Sequence, residues 1–140
     1  MNIGIYSPNW VGDAVMALKF IGQLRKKYAG DELIVIAKDW VADIYDNHPL
    51  INKVLLVPKN ELSGVFNTIK TGRSLQKLNL DIFFVLPDSF RSAVIAWFSK
   101  SKTRIGFTGQ MREVFLTDQM NFPKETIHRS EKYIYLLQNG

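Results

Sequence analysis

The sequence predicts an α/β domain, a Rossmann-like and mostly parallel sheet flanked by helices, and three observations carry that expectation. Short β-branched runs alternate with helix-length amphipathic stretches along the chain. Several of those runs are apolar at consecutive positions, as in strands covered on both faces. Every gap between them is long enough to hold a crossover helix.

The strand candidates are 2–7, 33–37, 54–57, 82–86 and 104–107. A first helix is expected from about Asp13 to about Tyr28. Ala14, Ala17, Leu18, Ile21 and Leu24 fall at helical spacing there, and Arg25, Lys26 and Lys27 at the end complement the helix dipole. Val41, Ile44 and Tyr45 make a short second helix stopped by Pro49. A third lies within 62–78, where Gly64 and Gly72 weaken the pattern. A fourth spans 89–99 and a last one 126–137, before the stop signal Gln138-Asn139-Gly140. The order β-α-β-α-β-α-β-α-β, with a closing helix, predicts an open doubly wound sheet without repeats or internal linkers.

Composition bounds the function. A chain of 140 residues, 46% hydrophobic and 22% charged, suits one ordinary globular domain. With no Cys there is neither a disulfide framework nor a thiolate metal site. The N-terminus has no basic segment followed by an apolar core, so a secretory signal is not expected. The longest apolar run, 93–98, falls far short of the ~18 residues of a membrane span. Eighteen Lys and Arg against thirteen Asp and Glu leave a net charge of +5, which favours an anionic partner: a phosphorylated substrate, an acidic membrane surface or nucleic acid.

In such sheets ligands bind beyond the carboxyl ends of the strands. The first loop there is Ser7-Pro8-Asn9-Trp10-Val11-Gly12-Asp13. It contains no G-x-G-x-x-G, and the sequence has no P-loop and no G-x-S-x-G. That argues against dehydrogenases, P-loop NTPases and α/β-hydrolases. Asp13 has two readings on spacing alone: an N-cap of the first helix, or a carboxylate poised to take a proton from a bound hydroxyl. Lys70, Arg73 and Lys77 recur at i, i+3, i+7 and share a helix face, while Arg91, Arg104 and Arg112 follow or bracket later strands. Such residues form either a solvated face or, if convergent, a phosphate and carboxylate site. His48 and His128 lack metal-ligand spacing, and no aromatic stacking platform for nucleic acid stands out.

The 7–13 loop resembles the opening loop of the ADP-heptose:lipopolysaccharide heptosyltransferases, glycosyltransferase family 9. Leu86-Pro87-Asp88-Ser89-Phe90-Arg91-Ser92-Ala93 resembles a second family signature, which commonly reads Asn then Ser-Phe-Lys-Ser-Ala. Arg104-Ile105-Gly106-Phe107, followed by Gly109-Gln110-Met111-Arg112, resembles a third. Trp40, His48-Pro49, Val54 and the closing 128–137 segment keep the same order, so the likeness runs through the whole chain. The Trp-Val-Gly-Asp loop and the Pro-x-Ser-Phe segment are most similar to the enzymes that add the second heptose. Asp88, Arg91 and Gln110 stand where the family commonly has Asn, Lys and Glu.

The resemblance implies the N-terminal half of a GT-B glycosyltransferase. Residues 1–140 would form a single acceptor-side domain, and the C-terminal domain that binds the sugar nucleotide is absent from this sequence. The implied activity is heptose transfer from ADP-L-glycero-D-manno-heptose to the lipopolysaccharide inner core, without metal or other cofactor. Asp13 would be the base. Trp10, Gly12 and Ser89 would lie at the acceptor, with Arg73, Arg91 and Arg112, and secondarily Lys70 and Lys77, meeting its anionic groups. The donor would be held through the missing domain, so the chain alone is expected to be inactive. A cytoplasmic place is expected, at the cytosolic face of the inner membrane with peripheral contact to its anionic surface, and no nucleic acid. The alternatives are a same-family transferase of another sugar and a non-catalytic module recognising anionic glycan or nucleic acid.

Overall fold

The computed structural model describes residues 1–57, 64–109, 112–120 and 133–138. Its strands are β1 (Asn2–Tyr6), β2 (Glu32–Lys38), β3 (Lys53–Val57), β4 (Ile82–Val85), β5 (Thr103–Phe107) and β6 (Asp118–Met120). All pair in parallel in the order β3-β2-β1-β4-β5-β6. The chain therefore winds outward from β1 to β3, then crosses back to lay β4 on the other side of β1. That reversal leaves a crevice above the carboxyl ends of β1 and β4, the place where such sheets receive ligands.

The helices are α1 (Val11–Lys27), α2 (Asp39–Ala42), α3 (Val65–Ser74) and α4 (Phe90–Phe98). Side-chain alternation on the strands separates two cores. Ile3, Ile5, Leu33, Val35, Phe84 and Ile105 meet Phe20, Ile21 and Leu24 of α1 on one face. Tyr6, Ile34, Ile36, Phe83 and Val85 meet Leu75, Ile95 and Ala96 of the α3/α4 layer on the other. The consecutive apolar runs of β1, β2 and β4 are buried from both sides, whereas the edge strand β3 leaves Leu56 55% exposed.

Several expected elements shift. The first helix begins at Val11 with Trp10 at the cap position, so Asp13 is its third residue and not its cap. The second helix is only four residues, followed by turns through Asn47. Gly72, read as a weak point of α3, is a packing device. A Cβ there would stand 2.6 Å from the Phe98 Cβ and 2.8 Å from the Ile95 carbonyl, so only glycine lets α3 lie this close to α4. Gly64 precedes the helix at φ 83°, a left-handed backbone that suits glycine. The sixth strand was not expected: Asp-Gln-Met has no apolar run, and the described part of its link to β5 holds a 3₁₀ turn, Glu113–Phe115. Of the predicted closing helix, Tyr133–Gln138 is a 3₁₀ helix packed on α1. Its 126–132 part, with His128, lies outside the described residues, as do Gln110, Met111 and the start of the third predicted helix at Leu62.

Candidate functional site

The β1 loop is held from beneath. The Ser7 amide donates to the Ile36 carbonyl, carrying the β1–β2 ladder one residue past the strand. The Ser7 hydroxyl donates to the Pro8 carbonyl at 2.9 Å and lies 2.7 Å from the Tyr45 hydroxyl, whose ring is buried. Burial pushes the Tyr45 phenol up to about 12, against the smaller opposing effect of the Ser7 bond, so it stays a neutral hydrogen-bonding group. Trp40 reaches across from α2 to donate its indole N–H to the Asn9 carbonyl at 2.7 Å. The loop is thus tied to β2 and α2 before α1 begins.

Asp13 occupies the first turn of α1, partly exposed, where the helix dipole favours a carboxylate. Trp10 is 75% exposed beside it. A Cβ at Gly12 would meet nothing within 4 Å, so no neighbour among the described residues requires glycine there.

The β4 loop is built as firmly. Ser89 caps α4, its hydroxyl accepting from the Ser92 amide at 3.2 Å, while the Ser92 hydroxyl donates back to the Ser89 carbonyl at 2.7 Å. Arg112 donates from Nη1 to the Pro87 carbonyl at 2.7 Å. Arg112 is fully buried, its Nη2 only 3.0 Å from where a Cβ on Gly106 would stand. Expected among the acceptor cations, Arg112 instead props the loop that presents Ser89 and Arg91.

Between the two loops and the first turn of α3 is a cleft of about 600 Å³, lined by Asn9, Lys38, Val65, Ser89, Phe90 and Arg91 among others. Lys38 closes β2, and its ammonium lies 5.4 Å from the Trp40 ring centre. Burial, and secondarily the nearby Arg91 guanidinium, hold the Lys38 ammonium below its usual pKa. Arg91 also opposes the burial that pushes Tyr6 up to about 12. Two cations thus share one cleft. The buried Asn9 Oδ1 has no hydrogen-bond partner among those residues. Such an arrangement suits an anionic, hydroxyl-rich ligand, which would relieve the repulsion and supply donors. Among the described residues no three His, Cys, Asp or Glu side chains group to hold a metal ion.

Sequence reasoning missed Lys38 and Asn9. Lys38 had a signal: it stands at the carboxyl end of the second strand, but the apolar run ends at Ala37. The structure also separates residues expected together. The α3 crossover helix runs back from the carboxyl edge, so its ten residues carry the chain about 15 Å toward the amino edge. Lys70 lies midway along it and outside the cleft lining, and Lys77 lies in the 3₁₀ turn before β4. Arg73 borders a different hollow, with Gln76, Trp97, Lys100 and Arg104. Arg104 is engaged in structure there, donating to the Phe115 and Ser101 carbonyls and lying over the Trp97 ring.

A 3-2-1-4-5-6 parallel sheet with its cleft at the reversal point is the architecture of one half of a GT-B glycosyltransferase. The profile of glycosyltransferase family 9 (heptosyltransferase) matches residues 68–139, just over half of the chain, and the chain belongs to that family. It is similar to lipooligosaccharide heptosyltransferase 2 of Haemophilus ducreyi, 31% identical over 97% of this chain and 39% of that protein. It is likewise similar to lipopolysaccharide heptosyltransferase 2 of Escherichia coli, 30% identical over 89% of this chain and 36% of that protein. The solved structure of E. coli ADP-heptose lipopolysaccharide heptosyltransferase II superposes with a TM-score of 0.85 at 31% identity, covering 97% of this chain and 40% of the other. The chain therefore spans about 39% of the length of the curated relatives it matches.

Proposed function

We propose that this chain is the acceptor-side domain of an enzyme that moves heptose from ADP-L-glycero-D-manno-heptose to the inner core of lipopolysaccharide. A second domain, the nucleotide-binding half, would hold the donor. The observation that carries the reading is the cleft at the reversal point, where Lys38 and Arg91 converge beside Asn9 of the β1 loop, within a family of heptosyltransferases. Anionic groups of the inner core would sit between the two cations, with Ser89, Trp10 and the open side of Gly12 around the sugar.

In this reading the acceptor hydroxyl attacks the anomeric carbon and forms the new glycosidic bond. The bond to the ADP oxygen breaks, ADP leaves with its electron pair, and the configuration inverts. The hydroxyl proton passes to the Asp13 carboxylate. Any carboxylate is a weak base toward an alcohol in the ground state. Its contribution therefore comes late, as the attacking hydroxyl turns acidic. The reaction would take place at the cytosolic face of the inner membrane, in peripheral contact with its anionic surface. The test joins this chain to a heptosyltransferase sugar-nucleotide domain and measures transfer with and without Asp13→Asn. Full activity in the Asn variant would remove Asp13 from the chemistry and the reading with it.

A further inference from the structure

Trp40 and Trp97 are exposed to the same extent, 45%, yet they have different neighbours. The Trp97 ring packs edge-on against Phe115 and lies 5.0 Å from the Arg104 guanidinium carbon. Trp40, the second residue of α2, belongs to neither core. What it touches belongs to the cleft. Its indole Nε1–H donates to the Asn9 carbonyl at 2.7 Å, and its ring centre lies 5.4 Å from the Lys38 ammonium. Asn9 and Lys38 both line the cleft, one from the β1 loop and one from the end of β2, and Trp40 is not itself among the lining residues.

Each contact meets a physical need of its partner. Asn9 directly precedes Trp10, which holds the cap position of α1, so fixing the Asn9 carbonyl fixes the entry to the helix whose third residue is Asp13. Lys38 carries a charge that burial disfavours and that Arg91 repels. It makes no ion pair among the described residues, and the adjacent Asp39 is exposed. A carboxylate would hold the ammonium but neutralise it. The face of an indole attracts a cation and leaves its charge and its N–H donors available to a ligand.

We propose that Trp40 is a positioning residue of the cleft: its N–H fixes the loop that carries Trp10, Gly12 and Asp13, and its ring holds Lys38 in place for an anion. The inference rests on the reading of this cleft as an anionic acceptor site and names the side chain that couples its two walls. Tryptophan suits both tasks, since it has the strongest cation-attracting face of the aromatic side chains and a donor at its edge. Phenylalanine keeps a face without the donor, and leucine has neither, which makes the two tasks separable.

Two measurements on this chain test it. NMR hydrogen exchange compares the indole N–H of Trp40 with that of Trp97, which has no hydrogen bond among the described residues. The Trp40 proton should exchange about fivefold more slowly, and equal rates would overturn the loop contact. Calorimetric titration with inorganic pyrophosphate then reads the cation. Lys38→Met should weaken binding about tenfold. Trp40→Leu should weaken it about fivefold and Trp40→Phe no more than about twofold. In the Lys38→Met background, Trp40→Leu should add less than about twofold, because the ring then has no cation to hold. A merely structural tryptophan would instead give the same leucine loss in both backgrounds. That result, equal losses in the phenylalanine and leucine variants, an unchanged Lys38→Met titration, or a wild-type chain that takes up no pyrophosphate would each overturn the proposal. Circular dichroism checks folding, and if Trp40→Leu unfolds the chain, Trp40→Met takes its place at the same expected loss. In the joined enzyme, Trp40→Phe should lower kcat about fivefold with the acceptor KM almost constant. The titration needs neither donor nor second domain, so a Trp40–Lys38 coupling stands even if the joined enzyme transfers nothing. Transfer without that coupling leaves the enzyme reading standing and removes the role of Trp40.

Discussion

Two cationic regions of this chain look alike in the sequence and differ in space. Lys70 and Arg73 on α3 and Lys77 in the 3₁₀ turn that follows are all exposed. Lys38 and Arg91 are 53 positions apart in sequence, yet they share the cleft above the carboxyl edge. The first group is held together by helical period and pays little desolvation. The second is held by strand order, and within it the half-buried Lys38 has a lowered pKa. A mutual repulsion that the fold tolerates is a stronger sign of a site for an anion than a regular stripe of solvated charge.

The comparison makes its largest prediction at the cleft. In the joined two-domain enzyme, Asp13→Asn should lower turnover by about 10²–10⁴-fold while thermal unfolding of the domain is almost unchanged. Because Trp10 and not Asp13 holds the cap position, a loss of stability with intact turnover would return Asp13 to a purely structural place. Next, Lys38→Ala and Arg91→Ala should each raise the acceptor KM by an amount equivalent to about 1.5–3 kcal/mol, with donor KM nearly constant. Lys77→Ala, at the amino edge, should change acceptor KM by no more than about 0–1 kcal/mol. Equal effects of Lys77 and Arg91 would erase the distinction between the two regions.

The pH dependence sharpens it. Lys38 is held below its usual pKa, so its charge, and anion affinity with it, is lost at lower pH than for an ordinary lysine. Arg91→Ala should move that alkaline limb upward by removing one of the two causes, although burial, the larger one, persists. A limb that stays in place would mean Arg91 and Lys38 do not sense one another.

Away from the site, Gly72→Ala should destabilise the domain by roughly 1–3 kcal/mol, since the new methyl meets the Phe98 Cβ and the Ile95 carbonyl. Calorimetric unfolding measures this, and an unchanged midpoint would show that α3 and α4 can separate without cost. The smallest effect is Tyr45→Phe, which removes the hydroxyl contact to Ser7 and should cost about 0.5–1.5 kcal/mol. If the β1 loop is tied down as described, that variant also loses some turnover. Unchanged turnover would show that the ties of Trp40 and the Ser7 amide suffice.

Much of this was legible from residues alone. Five of the six strands, and the α1, α3 and α4 helices, follow from apolar runs and periods, because burial from both faces writes itself locally into the chain. The two loops that flank the cleft were also readable, through their order and their resemblance to family signatures. The Asp-Gln-Met edge strand was not: pairing on one side alone asks for no apolar run. Gly72 was misread because helix propensity is a local quantity and close helix packing is not.

By itself, then, the sequence determined the α/β class, the β1 and β4 loops and the excess of positive charge, since each depends on neighbours within a few residues. Only the tertiary structure decided which cations share a site. The return of α3 toward the amino edge carried Arg73 and Lys77 away from the cleft, and the folding of the 3₁₀ turn against β5 enclosed Arg112 beneath Pro87. The placing of β2 beside β1 brought Lys38 within the field of Arg91. Electrostatic interaction depends on separation in space and on exposure to water, and neither is a function of spacing along the chain.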